Sequence, residues 1–122
     1  MLILYRVVGG LLGLLFLGSG VEWIRDPESA AEGLGVLLPE GGLGRSTLIG
    51  DLGAFFLGTG TFALLGTVTG RARWYRAAAL MLALAALMRT QAAVFHGASW
   101  TELIAVEVVL TAVLVGISSR FD

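Results

Sequence analysis

The chain has 122 residues, of which 57% are hydrophobic and only 14% are charged, and its mean hydropathy is +0.88. Soluble globular domains carry about 25% charged residues, so this composition excludes an ordinary soluble domain and predicts one membrane-embedded domain over residues 1–122. A net charge of −1 leaves no basic surface for nucleic acid, and the absence of cysteine excludes disulfides and thiolate metal sites.

The first apolar segment covers residues 3–24 and is interrupted only by Arg6 near its start and Glu22 near its end. A membrane span needs ~20 apolar residues, so this segment suffices. A cleaved signal peptide is the alternative, but the residues before Arg6 are apolar rather than basic and the segment is long for a signal-peptide core. We therefore expect a retained helix, on which Gly9 and Gly13 permit close approach of a neighbouring helix.

A short helix is predicted after this span. Asp26 is a good N-cap and Pro27 suits the first helical position, while Gly33 or Gly35 can end the helix in the left-handed conformation. The segment is too short and too acidic to cross a bilayer. We expect it to lie at the membrane surface.

Three more apolar segments predict further spans, at about residues 46–68, 76–96 and 100–118. Ser99 and Glu102 have the spacing of a capping box at the start of the last one. The predicted fold is therefore all-α, a four-helix transmembrane bundle with one short interfacial helix between the first two spans.

The second span carries small residues on one helical face, which predicts close packing of that face against another helix. These residues are Gly50, Ala54, Gly58 and Thr61.

Four spans place both termini and the turn between the second and third spans on the same side of the membrane. That side carries five arginines: Arg6, Arg71, Arg73, Arg76 and Arg120. The opposite side carries only Arg25 and Arg45. The positive-inside rule then predicts that both termini are cytoplasmic. The use of arginine without lysine, with abundant Gly and Ala, favours a bacterial chain, so we expect a multi-pass protein of the bacterial cytoplasmic membrane.

Polar side chains gather toward the outer ends of the predicted spans. They are Glu22, Asp51, Arg89, Gln91, His96, Glu102 and Glu107. A charge inside a bilayer costs at least ~2.5–3.5 kcal/mol on insertion scales, so Arg89 needs a partner. Asp51 and Glu107 lie at a similar predicted depth, and a guanidinium can bind two carboxylates, so we expect all three to pair across three helices.

Two interpretations of this cluster remain open at this point. It either forms a polar pocket that binds a ligand or ion, or forms an ion-pair network that sets the register of the helices. For His96 a polar residue at a helix end is the commoner case. One histidine and no cysteine argue against a transition-metal site, and no nucleophile or phosphate-binding motif is present, so no catalytic residue, metal or cofactor is predicted.

Several short motifs resemble a bacterial family of small four-span inner-membrane proteins, domain-of-unknown-function family 4345. The motifs are residues 26–31, 33–36 and 51–58, together with Arg89 in the third span. The general architecture also resembles the DoxX-type four-span proteins. The resemblance covers nearly the whole chain and implies the fold and the location, but that family has no established activity to transfer.

The leading functional hypothesis is a non-enzymatic accessory or binding protein whose outer pocket receives a lipid headgroup, a small ligand or a partner helix. Its expected partners are the lipid bilayer and either a second copy of the chain or another membrane protein. One alternative is a proton- or cation-coupled transporter of small solutes that acts as a homodimer. Another is a membrane enzyme acting on a lipid or quinone through Glu107 and His96, although no catalytic spacing supports it.

Overall fold

The computed structural model describes residues 1–122 and is entirely helical. Its five helices are α1 Leu2–Arg25, α2 Pro27–Gly33, α3 Gly42–Thr69, α4 Ala72–Phe95 and α5 Glu102–Ser118. Helix α1 packs along α3, α3 along α4 and α4 along α5, whereas α1 and α5 touch only slightly. The prediction of an all-α fold is confirmed.

Three helices, α1, α3 and α4, are long and apolar enough to cross a membrane, not the four that the sequence predicts. The predicted fourth span, residues 100–118, is shortened to the 17 residues of α5 because Thr101 is extended at φ −121° and ψ 155°. Thr101 is the N-cap and its side chain makes no capping hydrogen bond. The predicted capping box of Ser99 and Glu102 is therefore wrong, since Glu102 is the first residue of the helix.

The short helix α2 forms as its sequence predicts. The Asp26 carboxylate accepts a hydrogen bond from the Ser29 backbone N–H at 3.2 Å, and Pro27 occupies the first helical position. Beyond the helix, Gly35 adopts the left-handed region with φ 70°. These local signals suffice to predict the start of α2, because each one satisfies or removes an unpaired backbone N–H group at the helix end.

Helices α3 and α4 are joined by a tighter turn than predicted. Gly70, at φ 66°, ends α3 and donates its N–H to the Gly66 carbonyl at 2.8 Å. Helix α4 then starts at Ala72, so its first turn contains Arg73, which the sequence predicts to lie in a loop. At the other end, α3 begins at Gly42 rather than near residue 46.

The contact between α1 and α3 is a close approach of two backbones. A Cβ atom on Gly60 would lie 2.7 Å from the Leu17 nitrogen and 2.8 Å from the Gly13 carbonyl oxygen. Gly9 and Gly13 are both buried, and Gly13 faces Gly60, as expected for α1. Small residues are thus used for close helix packing, which dispersion forces stabilise in an apolar medium.

The predicted packing face of α3 is wrong. Gly50 and Gly58 have no neighbour near their Cα atoms, and Ala54 and Thr61 are exposed. Helix α3 has small residues on more than one face, so small size alone does not distinguish the buried face from the exposed one.

Many leucine and valine side chains point outward, whereas many of the buried positions are occupied by alanine and glycine. Leu11 and Leu87 are 62% and 61% exposed, whereas Ala63 and Ala78 are completely buried. A soluble protein rarely leaves such a large continuous apolar surface exposed to water. The distribution fits a chain whose exterior meets lipid.

Both chain termini and the α3–α4 turn lie at the same end of the fold. Arg6 donates from Nε to the Thr67 carbonyl at 2.9 Å and from Nη2 to the Val68 carbonyl at 3.2 Å. Near the C-terminus, the Arg120 guanidinium lies 5.2 Å from the ring centre of Tyr5. The sequence pattern indicates only positive charge at Arg6 and Arg120 and does not predict these contacts.

Candidate functional site

An ion pair joins α4 and α5 near the end of the fold that carries α2. Arg89 Nε lies 2.9 Å from Glu107 Oε1. The Glu107 side chain is 10% exposed and the Arg89 side chain 34%, so the carboxylate is the more enclosed partner. Both groups lie at a similar distance from the adjoining ends of their helices. Arg89 precedes the end of α4 by six residues, and Glu107 follows the start of α5 by five.

The hydrogen bonding of this pair is incomplete. Although the two atoms are close, Oε1 lies off the N–H direction of Arg89 and accepts no hydrogen bond, and it has no contact with solvent. Arg89 donates no hydrogen bond to any other residue. Leaving a buried acceptor without a donor costs about 1–3 kcal/mol, and more for a charged group. The pair therefore has unused hydrogen-bonding capacity, and its guanidinium is the more accessible partner.

The ion pair lines a cavity of about 260 Å³. All other lining residues are hydrophobic: Phe16, Leu34, Leu52, Phe55, Phe56, Leu82, Ala85, Leu103, Val106 and Leu110. The cavity is thus lined by residues of α1, α3, α4 and α5 and of the segment after α2. Two charged groups in an apolar cavity are the arrangement of a small-molecule site, where apolar walls hold a ligand and a few polar groups orient it.

Three phenylalanines form one wall of this cavity. The rings of Phe16 and Phe56 are stacked with centroids 6.0 Å apart, and the Phe55 ring meets Phe56 edge-on at 5.2 Å. Each of these rings thus packs against another ring of the wall. Leu34 adds a side chain from the segment after α2, which brings that segment against the cavity.

Two other buried polar atoms also lack partners, Thr59 Oγ1 and Trp74 Nε1. Neither residue lines the cavity. Only at Glu107 does an unsatisfied polar atom coincide with an opposite charge and a cavity. This coincidence is why we place the candidate site there.

The structure brings together two of the seven predicted site residues, Arg89 and Glu107. Asp51 is exposed and makes no ion pair, so the expected pairing across three helices does not form. At 100° per residue, Asp51 lies about a quarter turn away from the direction in which Leu52, Phe55 and Phe56 face the cavity.

The remaining predicted residues lie outside this cavity. Glu22, His96 and Glu102 are exposed, and Gln91 is half-buried without a side-chain hydrogen bond. Glu22 lines a separate, more polar cleft with Trp23 and Ser29. Glu102 lines another cleft, formed with residues 33–35 and 100–103.

The apolar residues of the site are not predictable from the sequence. Phe16, Phe56 and Leu34 resemble dozens of other apolar residues in the chain, and no spacing separates cavity-lining residues from lipid-facing ones. The charged pair alone gives a signal, because an ionisable group is rare in an apolar helix.

No group of three or more His, Asp or Glu side chains lies close enough together to hold a metal ion. The site therefore offers hydrogen bonds and apolar contact, and one fixed charge of each sign.

No known protein family, curated protein or solved structure matches this chain. The fold defines only a broad class: an all-helical protein with three helices that are long and apolar enough to cross a membrane. The resemblance to domain-of-unknown-function family 4345 stays a prediction.

Proposed function

We propose that this chain is an integral membrane protein with four spans that binds a small amphipathic ligand in the cavity lined by Arg89 and Glu107. The observation that carries the proposal is an ion pair with a buried, unsatisfied carboxylate oxygen, set in an otherwise apolar cavity. Intramembrane ionisable residues that face an enclosed cavity commonly mark a site of function. The protein acts as a binding or accessory protein, not as an enzyme, because no nucleophile or acid–base pair surrounds the cavity.

The fourth span of this proposal is α5. Its 17 residues extend about 25 Å at 1.5 Å per residue, which reaches the lower limit for a transmembrane helix. Helix α5 also packs along α4 over its length and exposes Val108, Val109 and Val115 on its outer side. A helix with apolar side chains outward, Glu107 inward and its other carboxylate, Glu102, at its first residue suits a lipid environment.

The proposed location is the bacterial cytoplasmic membrane with both termini in the cytoplasm. Its support is the distribution of arginine, because the end of the fold that holds both termini carries five of the seven arginines outside the ion pair.

Filling the cavity tests the proposed function. Ala85 lines the cavity, and Phe at this position would occupy the space of a ligand without removing Arg89 or Glu107. Ala54 is exposed on α3 and lines no part of the cavity, so A54F is the matched control. We expect lipid or metabolite co-purifying with the wild type, detected by native mass spectrometry, to be lost from A85F and kept by A54F.

Two outcomes of this experiment would contradict the proposal. If folded A85F keeps the same co-purifying molecules as the wild type, those molecules do not occupy the cavity. If neither the wild type nor A54F holds any molecule, and added amphiphiles do not bind either, the cavity is a packing defect and the proposed function fails.

A further inference from the structure

The charge balance of the cavity restricts the ligands that it can hold. Arg89 and Glu107 lie 2.9 Å apart and are the only ionisable residues in its lining. The pair has no net charge, so a ligand with a charged head would meet a like charge beside its counter-ion. Such juxtapositions are strongly unfavourable where water is excluded. The cavity therefore disfavours both carboxylates and amines.

The hydrogen-bonding capacity of the pair points to one functional group. The Glu107 carboxylate lacks a donor, while the guanidinium of Arg89 has N–H groups with no acceptor on any other residue. A hydroxyl group donates one hydrogen bond and accepts others through the same oxygen. One hydroxyl beside the ion pair can thus donate to the carboxylate and accept from a guanidinium N–H that has no other acceptor.

The apolar walls define the rest of the ligand. A volume of about 260 Å³ lies just below the ~300–1,000 Å³ typical of drug-sized pockets, so it admits one alkyl chain or one ring but not a two-chain lipid. Helix α5 touches α1 only slightly, so a longer chain can leave the cavity between them toward lipid.

We infer that the cavity binds uncharged single-chain amphiphiles that carry a hydroxyl, in preference to acids and amines with the same chain. This inference rests on the proposed function and adds the chemical class of its ligand. The hydroxyl bridges Glu107 and Arg89, and the chain lies against the phenylalanine wall.

Three matched probes test this selectivity: n-decanol, decanoate and decylamine, each with a photoreactive diazirine on its alkyl chain. The full-length protein in lipid nanodiscs is labelled at a pH at which decanoate is ionised and decylamine is protonated. Peptide mass spectrometry then measures the label on cavity residues. We expect n-decanol to label them at least about tenfold more than either charged probe, a ratio that corresponds to ~1.4 kcal/mol.

Two variants change the charge of the cavity without changing its shape greatly. E107Q leaves Arg89 unpaired, so the preference should move to decanoate; R89Q leaves Glu107 unpaired, so it should move to decylamine. R89Q/E107Q is neutral again and should favour n-decanol as the wild type does. A purely structural ion pair would alter stability but would not reverse ligand preference. The comparison of the three probes on the wild type needs no variant, so it stands even if a variant misfolds.

The outcomes separate this inference from the proposed function. If the wild type prefers decanoate or decylamine, or if E107Q and R89Q keep its preference, the inference is wrong and the proposed function stands. If no probe labels cavity residues in the wild type, both fail. Preference for n-decanol with reversal in both single variants supports both.

Discussion

Tyr75 on α4 is the residue that joins three helices at the end of the fold with both termini. Its side chain is completely buried, and its ring contacts Gly9 of α1 and Gly66 of α3 so closely that neither position has room for a Cβ atom. The Thr67 hydroxyl lies 2.8 Å from the Tyr75 hydroxyl and donates to the Arg6 carbonyl at 3.1 Å. Because the threonine proton is already used, Tyr75 is the donor to Thr67.

Y75F removes this donor and keeps the ring in its glycine-lined niche. We expect a loss of stability of about 0.5–1.5 kcal/mol, the usual net value of one hydrogen bond. Thermal unfolding in detergent micelles measures it, with Y5F as the control because the Tyr5 hydroxyl makes no hydrogen bond. Equal melting temperatures for Y75F and Y5F would show that the hydroxyl contributes nothing.

The Arg89–Glu107 pair gives a second prediction at the residue scale. R89M leaves a buried carboxylate without its counter-ion and should destabilise the protein by roughly 1–3 kcal/mol, less than a fully buried pair because Arg89 is 34% exposed. R89M/E107M removes both charges and should recover most of this loss, because an apolar pair of similar volume avoids the desolvation cost. Equilibrium unfolding of the two variants and the wild type tests this. A double variant no more stable than R89M would show that the charges are not coupled.

At the scale of elements, the α1–α3 contact depends on one glycine more than on the others. G60A would force the two backbones apart and should cost ~1–3 kcal/mol, the usual cost of overpacking. G58A is the control, because Gly58 lies two residues away in the same helix and a Cβ atom there would meet no neighbouring atom. This substitution should be neutral or stabilising by up to ~1 kcal/mol. Both are measured by thermal unfolding; equal effects would mean that α1 and α3 do not approach as described.

The segment between α2 and α3 is held by a surface ion pair. Arg45 Nη2 lies 2.8 Å from Glu28 Oε1, and Arg45 Nη1 donates to the Pro39 carbonyl at 3.1 Å. The Arg45 guanidinium beside Glu28 holds the pKa of the Glu28 carboxyl below its usual range. A lowered pKa means that the ionised form is favoured in the folded state, so this contribution is present at neutral pH.

That contribution is lost as the pH falls through the lowered pKa of Glu28, below the ordinary glutamate pKa of about 4.3. We expect proteolysis of the segment after α2 in the wild type to be faster at acidic pH than at neutral pH. In E28Q the cleavage rate at neutral pH should already equal the rate of the wild type at acidic pH. The effect is small because the pair is exposed, and it should weaken in high salt. An E28Q cleavage rate equal to wild type at neutral pH would contradict the prediction.

At the scale of the whole molecule, the decisive question is how many times the chain crosses the membrane. The chain has no cysteine, so a single introduced cysteine is a unique label. With four spans, cysteines at Ser29 and Ser99 react from one side and those at Arg71 and Ser119 from the other. We expect membrane-impermeant maleimide added to intact spheroplasts to label only the first two. Labelling of the cysteine at position 119 together with the one at position 99 would show that α5 does not cross the membrane.

The sequence by itself determines the helical class, three apolar spans, the start of α2 and the shared end of both termini, because hydrophobic segment length and helix caps are local properties. It also singles out Arg89 and Glu107, since charges are rare in apolar helices. Only the tertiary structure decides which carboxylate pairs with Arg89, which face of α3 packs on α1, and which apolar residues enclose the cavity. Those outcomes depend on the rotation of each helix about its axis, and in a chain that is apolar on every side the hydrophobic pattern does not specify that rotation.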